Sequence, residues 1–362
     1  MNFRVYLKRI KNILAWFCPS LRSVFLLQAT GQKRILGIWD FRKSPFTVGE
    51  FLYFQQVSVI IREIYQAEKI DIAMLCESEK PARFDGGMDR DNFHYYFSKY
   101  LPLAFVNQHL GSLFIFDSSE ILAKYIADNH DRYIVFPPYK DNENGELDDY
   151  TQYFNFVIKY YSNYSFLPAV NCKKAVLMWA YYFLSANMKL KLPVIVHLRN
   201  VNAHLYRNAF IDAWLEFIGY CERRYDVLFV MIGEKEEIDT RFRGFSNVLI
   251  AKDYNTTIEQ DLALIQTGIM FLGTTSGPAT MALFSDHPYV IYGFQTVYER
   301  LSYGQQLPWA TPLQKLVWEQ ETTEKLITDF EWLYNRIDRE KWRIEFERLA
   351  GDAAIKLKKH NN

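Results

Sequence analysis

A short run near residue 275 combines residue types that bind phosphate groups. Residues 271–280 read FLGTTSGPAT, which predicts a strand, a glycine- and hydroxyl-rich turn, and a helix opened by Pro278. Proline is favoured at the first helical position because its missing N–H is not needed there. The free N–H groups and the dipole of such a helix attract anions. We therefore expect a diphosphate to bind here, contacted by Thr274, Thr275, Ser276 and Gly277.

The same turn is also typical of an ordinary connection between a strand and a helix. In that interpretation Ser276 caps the helix and no ligand is bound. The chain contains neither a GxGxxG run nor a GxxxxGK[ST] run. It therefore lacks both the dinucleotide fingerprint and the P-loop, the two usual motifs for phosphate binding at a strand-to-helix turn.

An arginine at the end of an apolar strand is a second candidate for holding phosphate. In residues 196–200 (VHLRN), strand alternation puts His197 and Arg199 on one face, with Arg199 at the carboxyl end. Ligands of parallel sheets bind beyond that end, and a guanidinium can hold phosphate through two hydrogen bonds. A structural ion pair would suit Arg199 equally well, and we expect His197 to be packed. Three further residues are expected at this site: Arg207, Asn208 and Gly233.

These candidates require a frame of parallel strands, and the chain supplies two series of them. Short apolar runs alternate with amphipathic helices, which is typical of doubly wound α/β sheets. We predict a leader over 1–33, Rossmann-like domains over 34–190 and 191–325, and C-terminal helices over 326–362. The predicted strands cover residues 34–40, 70–75, 113–116, 133–136, 193–198, 226–232, 247–250, 268–272 and 288–292.

The composition is that of a globular protein without general affinity for nucleic acid. The 362 residues carry 42 Lys and Arg against 42 Asp and Glu, whereas a nucleic-acid binder needs a surplus of cations. The four cysteines form no CxxC pair, which argues against a zinc knuckle and favours reduced thiols in a cytoplasmic protein. No apolar run reaches 18 residues, so we expect no membrane-spanning helix.

The charge is unevenly placed along the chain. Residues 1–39 contain no acid and seven cations, and apolar residues recur at steps of three and four as far as Pro19. This pattern predicts a basic amphipathic helix, which can bind an anionic membrane at about 1 kcal/mol per cation. Such a helix can also pack on the body of the protein. Two interpretations of residues 1–30 therefore stay open. They attach the protein peripherally to the cytoplasmic face of a membrane, or they pack on the body of the protein.

Three patches of the chain resemble GT-B glycosyltransferases. Residues 271–283 (FLGTTSGPATMAL) are similar to the strand, turn and helix that hold the sugar-nucleotide diphosphate in heptosyltransferase-like enzymes. Residues 194–199 (VIVHLR), with 206–208, resemble the HxR segment of fucosyltransferase-like transferases of bacterial surface polysaccharides. Residues 48–52 (VGEFL) are similar to the Gly-Asp-x-Leu helix start of heptosyltransferases, with Glu50 where that family has its catalytic Asp. The resemblance implies two Rossmann-like domains facing across a cleft, the first for the acceptor and the second for the nucleotide sugar.

The implied reaction is transfer of a sugar from a nucleotide-activated donor to a glycan or lipid-linked acceptor, in bacterial surface-polysaccharide synthesis. Arg199 and the N–H groups of residues 275–279 would stabilise the leaving group, with no metal and no cofactor. A group of the first domain must accept the proton of the acceptor hydroxyl. Our candidates are Glu50, then Asp40, both beyond the first strand, and thirdly His109, although each can also be structural.

Three alternatives remain open. The triplet Asp89-Arg90-Asp91 would fit a metal-dependent GT-A transferase, but it follows residues 84–88 (FDGGM) rather than an apolar strand. An epimerase or hydrolase acting on a nucleotide sugar would keep the GT-B fold. A catalytically inactive module of that fold would bind a glycan or a partner.

Overall fold

The computed structural model describes residues 33–44, 47–76, 93–138, 150–202, 205–293 and 301–360. Three features predicted from the sequence lie outside these ranges. They are the basic leader apart from Lys33, the DxD triplet at 89–91, and one of the four cysteines, Cys18.

The first sheet has four parallel strands: β1 (Arg34–Asp40), β2 (Ile70–Leu75), β3 (Leu110–Phe116) and β4 (Tyr133–Phe136). Their order is β3-β2-β1-β4, so the winding reverses between β1 and β4. The apolar runs predicted β1, β2 and β4 with these bounds. The third strand begins three residues earlier than predicted, because Leu110 already pairs with Ile70 of β2, ahead of an irregularity in the register.

Among the residues that the structure describes, this part of the chain has four α-helices: α1 (Val48–Tyr65), α2 (Phe93–Ala104), α3 (Ser119–Asp128) and α4 (Tyr150–Tyr164). Helix α1 ends because Gln66 adopts a left-handed backbone conformation, with φ 51°.

The second sheet has six parallel strands: β5 (Leu192–His197), β6 (Val227–Met231), β7 (Val248–Ile250), β8 (Met270–Thr274), β9 (Tyr289–Tyr292) and β10 (Gln314–Val317). Their order is β10-β9-β8-β5-β6-β7, the doubly wound order of dinucleotide-binding folds. The winding reverses between β5 and β8, where ligands of such sheets bind. The tenth strand was not predicted, because four residues that include Gln314 and Lys315 give no apolar run.

In the described ranges of the later part of the chain there are six α-helices: α5 (Lys174–Asn187), α6 (Ile211–Glu222), α7 (Ile258–Thr267), α8 (Ala279–Leu283), α9 (Thr323–Tyr334) and α10 (Arg339–His360). Helix α7 begins with a reciprocal capping box between Thr257 and Gln260. Leu205–Arg207 form a 3-10 turn, and α6 starts four residues later.

An aromatic core holds the second sheet against α6 and α9. Phe217 lies with its ring centroid 5.5 Å from that of Phe229 and 5.6 Å from that of Phe330, and all three side chains are fully buried. Each such burial contributes about 1.5–3 kcal/mol. The strands that end at the candidate site therefore rest on a densely packed layer.

The chain divides into two compact units. Of the residues that the structure describes, the first unit holds those within 1–46, 54–96 and 109–155, and the second those within 47–53, 97–108 and 156–362. Helix α5 belongs to the second unit because it packs on α7 and α10. The boundary near residue 190 therefore stays a prediction, while the contacts group residues 156–190 with the second sheet.

Within the described ranges, none of the helices is long and apolar enough to cross a membrane. The apolar stretch 175–184 lies inside α5. Cys76, Cys172 and Cys221 are free thiols, and all three are buried.

Candidate functional site

The candidate site lies where the second sheet reverses its winding. Strands β5 and β8 pair in parallel there, with His197 opposite Gly273. The backbone N–H of Arg199 donates a hydrogen bond to Thr274 Oγ1 at 3.0 Å. Two candidates that are 75 residues apart in the chain are therefore joined at the carboxyl edge of the sheet.

The side chain of Arg199 is held in place by Asn208. Its Nη1 donates to Asn208 Oδ1 at 2.5 Å, and the same oxygen accepts a bond from the Val201 N–H at 3.2 Å. The amide nitrogen of Asn208 donates to the Val201 carbonyl at 2.7 Å. Both ends of the Asn208 amide are thus used inside the protein. Asn208 positions Arg199 and is a weak candidate for direct contact with a ligand.

A second guanidinium lies near Arg199. Burial, followed by the positive charge of Arg207, lowers the pKa of Arg199 from its ordinary value. The Arg207 Nε atom is buried and has no hydrogen-bond partner among the residues that the structure describes. Arginine stays charged at such shifts, so the two side chains concentrate positive charge where an anion would relieve their repulsion.

The turn after β8 is partly closed by its own hydrogen bonds. The Thr275 N–H donates to the Tyr292 carbonyl at 2.9 Å, and its hydroxyl lies 3.2 Å from the Gly293 carbonyl, to which it donates. The predicted N–H donors at 275–279 therefore exclude Thr275, whose N–H is used here, and Pro278, which has no N–H. Helix α8 spans five residues and has no side-chain cap, so Ser276 does not cap it. Ser276 Oγ is buried and meets no hydrogen-bond partner in the described ranges.

Gly277 packs closely against the start of α1, and its contact with a phosphate stays a prediction. A Cβ at this position would lie 2.6 Å from Val48 Cβ and 3.1 Å from the Gly49 nitrogen. The start of α1 therefore lies directly against the turn, and both segments belong to the second unit. Two of the three resembling patches, 48–52 and 271–283, are thus in contact.

The packing of the α1 start against Gly277 also positions Glu50 near the turn after β8. It lies in the first turn of α1, one residue beyond Gly49, and its side chain is half-buried. Its N–H lies 3.4 Å from Thr47 Oγ1, which accepts from it. A carboxylate in the first turn of a helix is stabilised by the dipole, which suits an ionised proton acceptor.

Asp40 lies at the carboxyl end of β1 but is already engaged. Arg42 donates to Oδ2 through Nη2 at 2.7 Å and to Oδ1 through Nε at 3.0 Å. The Arg42 N–H also donates to Oδ1 at 3.0 Å. A buried carboxylate held by a two-pronged guanidinium is a poor proton acceptor, which makes Asp40 a weaker candidate than Glu50.

His109 lies at the amino edge of the first sheet. It immediately precedes β3, so it stands at the amino end, whereas Asp40 stands at the carboxyl end of β1. A seven-residue strand separates the two edges by about 20 Å. Burial, then the charges of Arg62 and Lys69, lower the pKa of His109. Its position argues against a role as the catalytic base.

Gly233, the last predicted site residue, follows β6 with φ +115°, a conformation that favours glycine. A Cβ there would lie 3.0 Å from the ring of His197. Its N–H lies 3.4 Å from Asp261 Oδ2, which accepts from it. Asp261 is buried against Lys252, and burial raises the pKa of its carboxyl. Sequence reasoning missed Asp261 because nothing in the α7 pattern marks it.

The described residues contain no group of three or more His, Cys, Asp or Glu side chains that could hold a metal ion. The DxD triplet lies outside those residues.

No family model and no curated protein matches this sequence. Solved structures do match its fold. One is the glycosyl transferase family 9 protein from Veillonella parvula DSM 2008, with 10% identity, a TM-score of 0.51, and coverage of 84% of this chain and 97% of that one. Another is the E. coli ADP-heptose lps heptosyltransferase II, with 11% identity, a TM-score of 0.51, and coverage of 84% and 99%. The chain therefore has the α/β fold of GT-B glycosyltransferases, and the predicted fold class with two Rossmann-like sheets is confirmed.

Proposed function

We propose that this protein is a glycosyltransferase that moves a sugar from a nucleotide-activated donor to a glycan or lipid-linked acceptor in bacterial surface-polysaccharide synthesis. One observation carries the proposal. Arg199 is fixed at the reversal point of a doubly wound sheet, where Asn208 holds its side chain and Arg207 adds a second positive charge. The fold shared with glycosyltransferases supports the same chemistry.

The donor would bind with its diphosphate between the two arginines and the turn after β8. Diphosphates are acceptors of hydrogen bonds, and the guanidinium groups and the Ser276 hydroxyl are donors. Because Ser276 Oγ is buried without a partner, a phosphate oxygen would satisfy it. The nucleotide's negative charge would also offset the repulsion between Arg199 and Arg207.

In the proposed transfer, the oxygen of the acceptor hydroxyl forms a bond to the anomeric carbon of the donor sugar. The bond between that carbon and the phosphate oxygen breaks, and its electron pair leaves with the nucleotide. The arginines stabilise the charge that develops there. Glu50 accepts the proton of the acceptor hydroxyl. Its support is the packing of the α1 start on the turn after β8.

We propose that this chemistry needs no metal, since two guanidinium groups already compensate the charge of the leaving group. EDTA should then leave donor binding and turnover unchanged. Loss of turnover with EDTA and its return with a divalent cation would contradict this part of the proposal. Hydrolysis or epimerisation of the donor without an acceptor would identify the rival enzymes of the same fold.

The test is a thermal-shift screen of the full chain against UDP-, GDP-, TDP-, ADP- and CMP-sugars. A ligand at about 100 times its dissociation constant adds about 2.7 kcal/mol to the free energy of unfolding, which is readily measured. Arg199→Ala and Ser276→Ala should abolish the shift. Arg224→Ala is the matched control, because this exposed arginine lies before β6, at the opposite edge of the same sheet.

A shift with one nucleotide class, lost in Arg199→Ala and kept in Arg224→Ala, is the expected result. No shift with any member of the panel would contradict the proposal and favour the inactive binding module. An equal loss in both arginine variants would place nucleotide binding elsewhere.

Attachment to the cytoplasmic face of an anionic membrane through residues 1–30 is a separate proposal, supported by the acid-free leader. The full chain should sediment with vesicles containing phosphatidylglycerol, and removal of residues 1–30 should abolish this. Equal sedimentation of both proteins would contradict it.

A further inference from the structure

We propose that His197 is a ligand-binding residue whose Nδ1 atom accepts a hydrogen bond from a hydroxyl group of the bound nucleotide sugar. This inference rests on the proposed function and deepens it. It assigns a role to a side chain that the strand pattern alone predicted to be merely packed.

The ring of His197 is buried at the carboxyl end of β5, with 4% of the residue exposed. Its Nε2 atom lies 3.3 Å from Glu237 Oε2, and the Glu237 side chain is partly exposed. The Nδ1 atom is also buried, and none of the described residues makes a hydrogen bond to it. One nitrogen of the ring is therefore engaged and the other is not.

The partner of Nε2 determines what Nδ1 can do. An ionised carboxylate only accepts hydrogen bonds, so its proximity selects the tautomer of the neutral ring that carries the proton on Nε2. Nδ1 then carries a lone pair and can only accept. Phosphate oxygens cannot fill that role, because they are acceptors themselves. A hydroxyl group can, and nucleotide sugars carry hydroxyls on both the ribose and the transferred sugar.

The contact between the ring and Gly233 indicates the direction of this lone pair. The Cδ2 and Nε2 atoms face Gly233, each 3.0 Å from the position of a Cβ on that glycine, and Gly233 follows β6. Because β5 lies between β6 and β8, the opposite edge of the ring, which carries Nδ1, faces the side on which β8 ends. Arg199 leaves the strand on the same face. The lone pair and the proposed phosphate site therefore share the reversal point.

An acceptor that stays buried and unpaired destabilises the protein. A ligand hydroxyl would remove that destabilisation on binding, so the interaction would favour the sugar-bearing donor over a bare phosphate compound. Glu237 would act as a positioning residue, since it holds the proton on Nε2 without reaching the ligand.

Two conservative substitutions distinguish the roles of the two ring nitrogens of His197. The amide of asparagine overlays Nδ1, and the amide of glutamine overlays Nε2. With the nucleotide sugar selected by the thermal-shift screen, His197→Asn should bind within about threefold of the wild type. His197→Gln should bind at least tenfold more weakly, because it keeps the Glu237 contact but lacks the acceptor. Chemical unfolding of each variant without ligand checks that both are folded.

The opposite pattern, with His197→Asn impaired and His197→Gln normal, would overturn the proposal and assign His197 a structural role through Glu237. Normal binding by both variants would overturn it as well, since Nδ1 then meets only water. If the wild type binds no nucleotide, the proposed function fails first and this inference falls with it.

Two further measurements sharpen the assignment. In the ligand-free protein, 15N NMR should show Nδ1 without a proton, and a protonated Nδ1 on a neutral ring would contradict the proposal. Binding of a nucleoside diphosphate, which lacks the transferred sugar, identifies which hydroxyl is bound. If His197→Gln also binds the nucleoside diphosphate more weakly than the wild type does, the hydroxyl belongs to the ribose. If both proteins bind it equally, the hydroxyl belongs to the transferred sugar.

Discussion

Gly49 and Gly277 meet backbone to backbone. A Cβ on Gly277 would lie 3.1 Å from the Gly49 nitrogen, and a Cβ on Gly49 would lie 3.5 Å from the Gly277 Cα atom. This contact joins the first turn of α1, which carries Glu50, to the turn that follows β8. The candidate proton acceptor and the candidate donor turn are therefore positioned by the same pair of glycines.

Gly277→Ala should consequently reduce both stability and activity. The new Cβ would lie 2.6 Å from Val48 Cβ, so the start of α1 must move. Overpacking of this kind costs about 1–3 kcal/mol in the free energy of unfolding, measured with urea. Gly351→Ala is the control, because no described atom outside its own chain neighbours and the nearby backbone of its helix lies within 4 Å of its Cβ position. If Gly277→Ala is as stable as that control, the contact is not tight.

Asn208→Asp tests the clamp on Arg199. The variant keeps an oxygen acceptor for Arg199 but loses the donor to the Val201 carbonyl. It also places a negative charge beside the proposed diphosphate. Nucleotide affinity, measured by calorimetry, should fall at least tenfold, because the carboxylate competes with the ligand for the guanidinium. Unchanged affinity would show that Arg199 does not contact phosphate.

His287 should make stability depend on pH. Burial lowers its pKa to about 4, from an ordinary value near 6.5. The unfolded chain therefore binds a proton at higher pH than the native protein does, so stability falls as the pH drops from 6.5 towards 4. The slope is at most about 1.4 kcal/mol per pH unit and levels off below pH 4.

Urea unfolding of His287→Gln should show a shallower decline than the wild type between pH 7 and pH 4.5. The exposed His130 gives the matched variant His130→Gln, which should decline like the wild type. Parallel curves for all three proteins would mean that His287 is accessible to protons in the native state.

Asp71→Asn should be strongly destabilising. Asp71 is fully buried and accepts hydrogen bonds from Arg34 at 2.6 Å, from the Ser112 N–H at 2.7 Å and from Tyr133 at 2.9 Å. Removing one charge of a buried pair costs about 3–5 kcal/mol, because the other is left uncompensated. The exposed pair of Asp212 with Arg241 provides the control, since Asp212→Asn should leave the urea midpoint unchanged. Equal destabilisation by Asp71→Asn and Asp212→Asn would contradict a stabilising role for the buried carboxylate of Asp71.

The elements with strong local signals were predictable from the sequence. Apolar runs bounded by polar loops predicted β1, β2 and β4, because a strand buried on both faces consists of consecutive apolar residues. The tenth strand was missed because it is four residues long and half polar. Pro278 correctly marked a helix start, yet nothing local indicated that α8 would stop after five residues.

The candidate site was predictable only in part, for a physical reason. Arg199 stands out because a charge directly follows an apolar strand. The roles of its neighbours depend on contacts between distant segments. Asn208 proved to be a clamp, Gly277 a packing position, and Glu237 the partner of His197, and none of these relationships has a signature in adjacent residues. His109 looked chemically suitable but lies at the amino edge of its sheet.

The most direct test of the proposed function is release of the nucleotide from the donor sugar in the presence of an acceptor. The donor found by thermal shift is incubated with a lipid and glycan extract of bacterial envelopes, and free nucleotide is followed by 31P NMR. We predict release that requires the extract and is lost in Glu50→Gln, while that variant still binds the donor. Donor binding without extract-dependent release, or full release by Glu50→Gln, would contradict the assignment of Glu50 in a glycosyltransferase site.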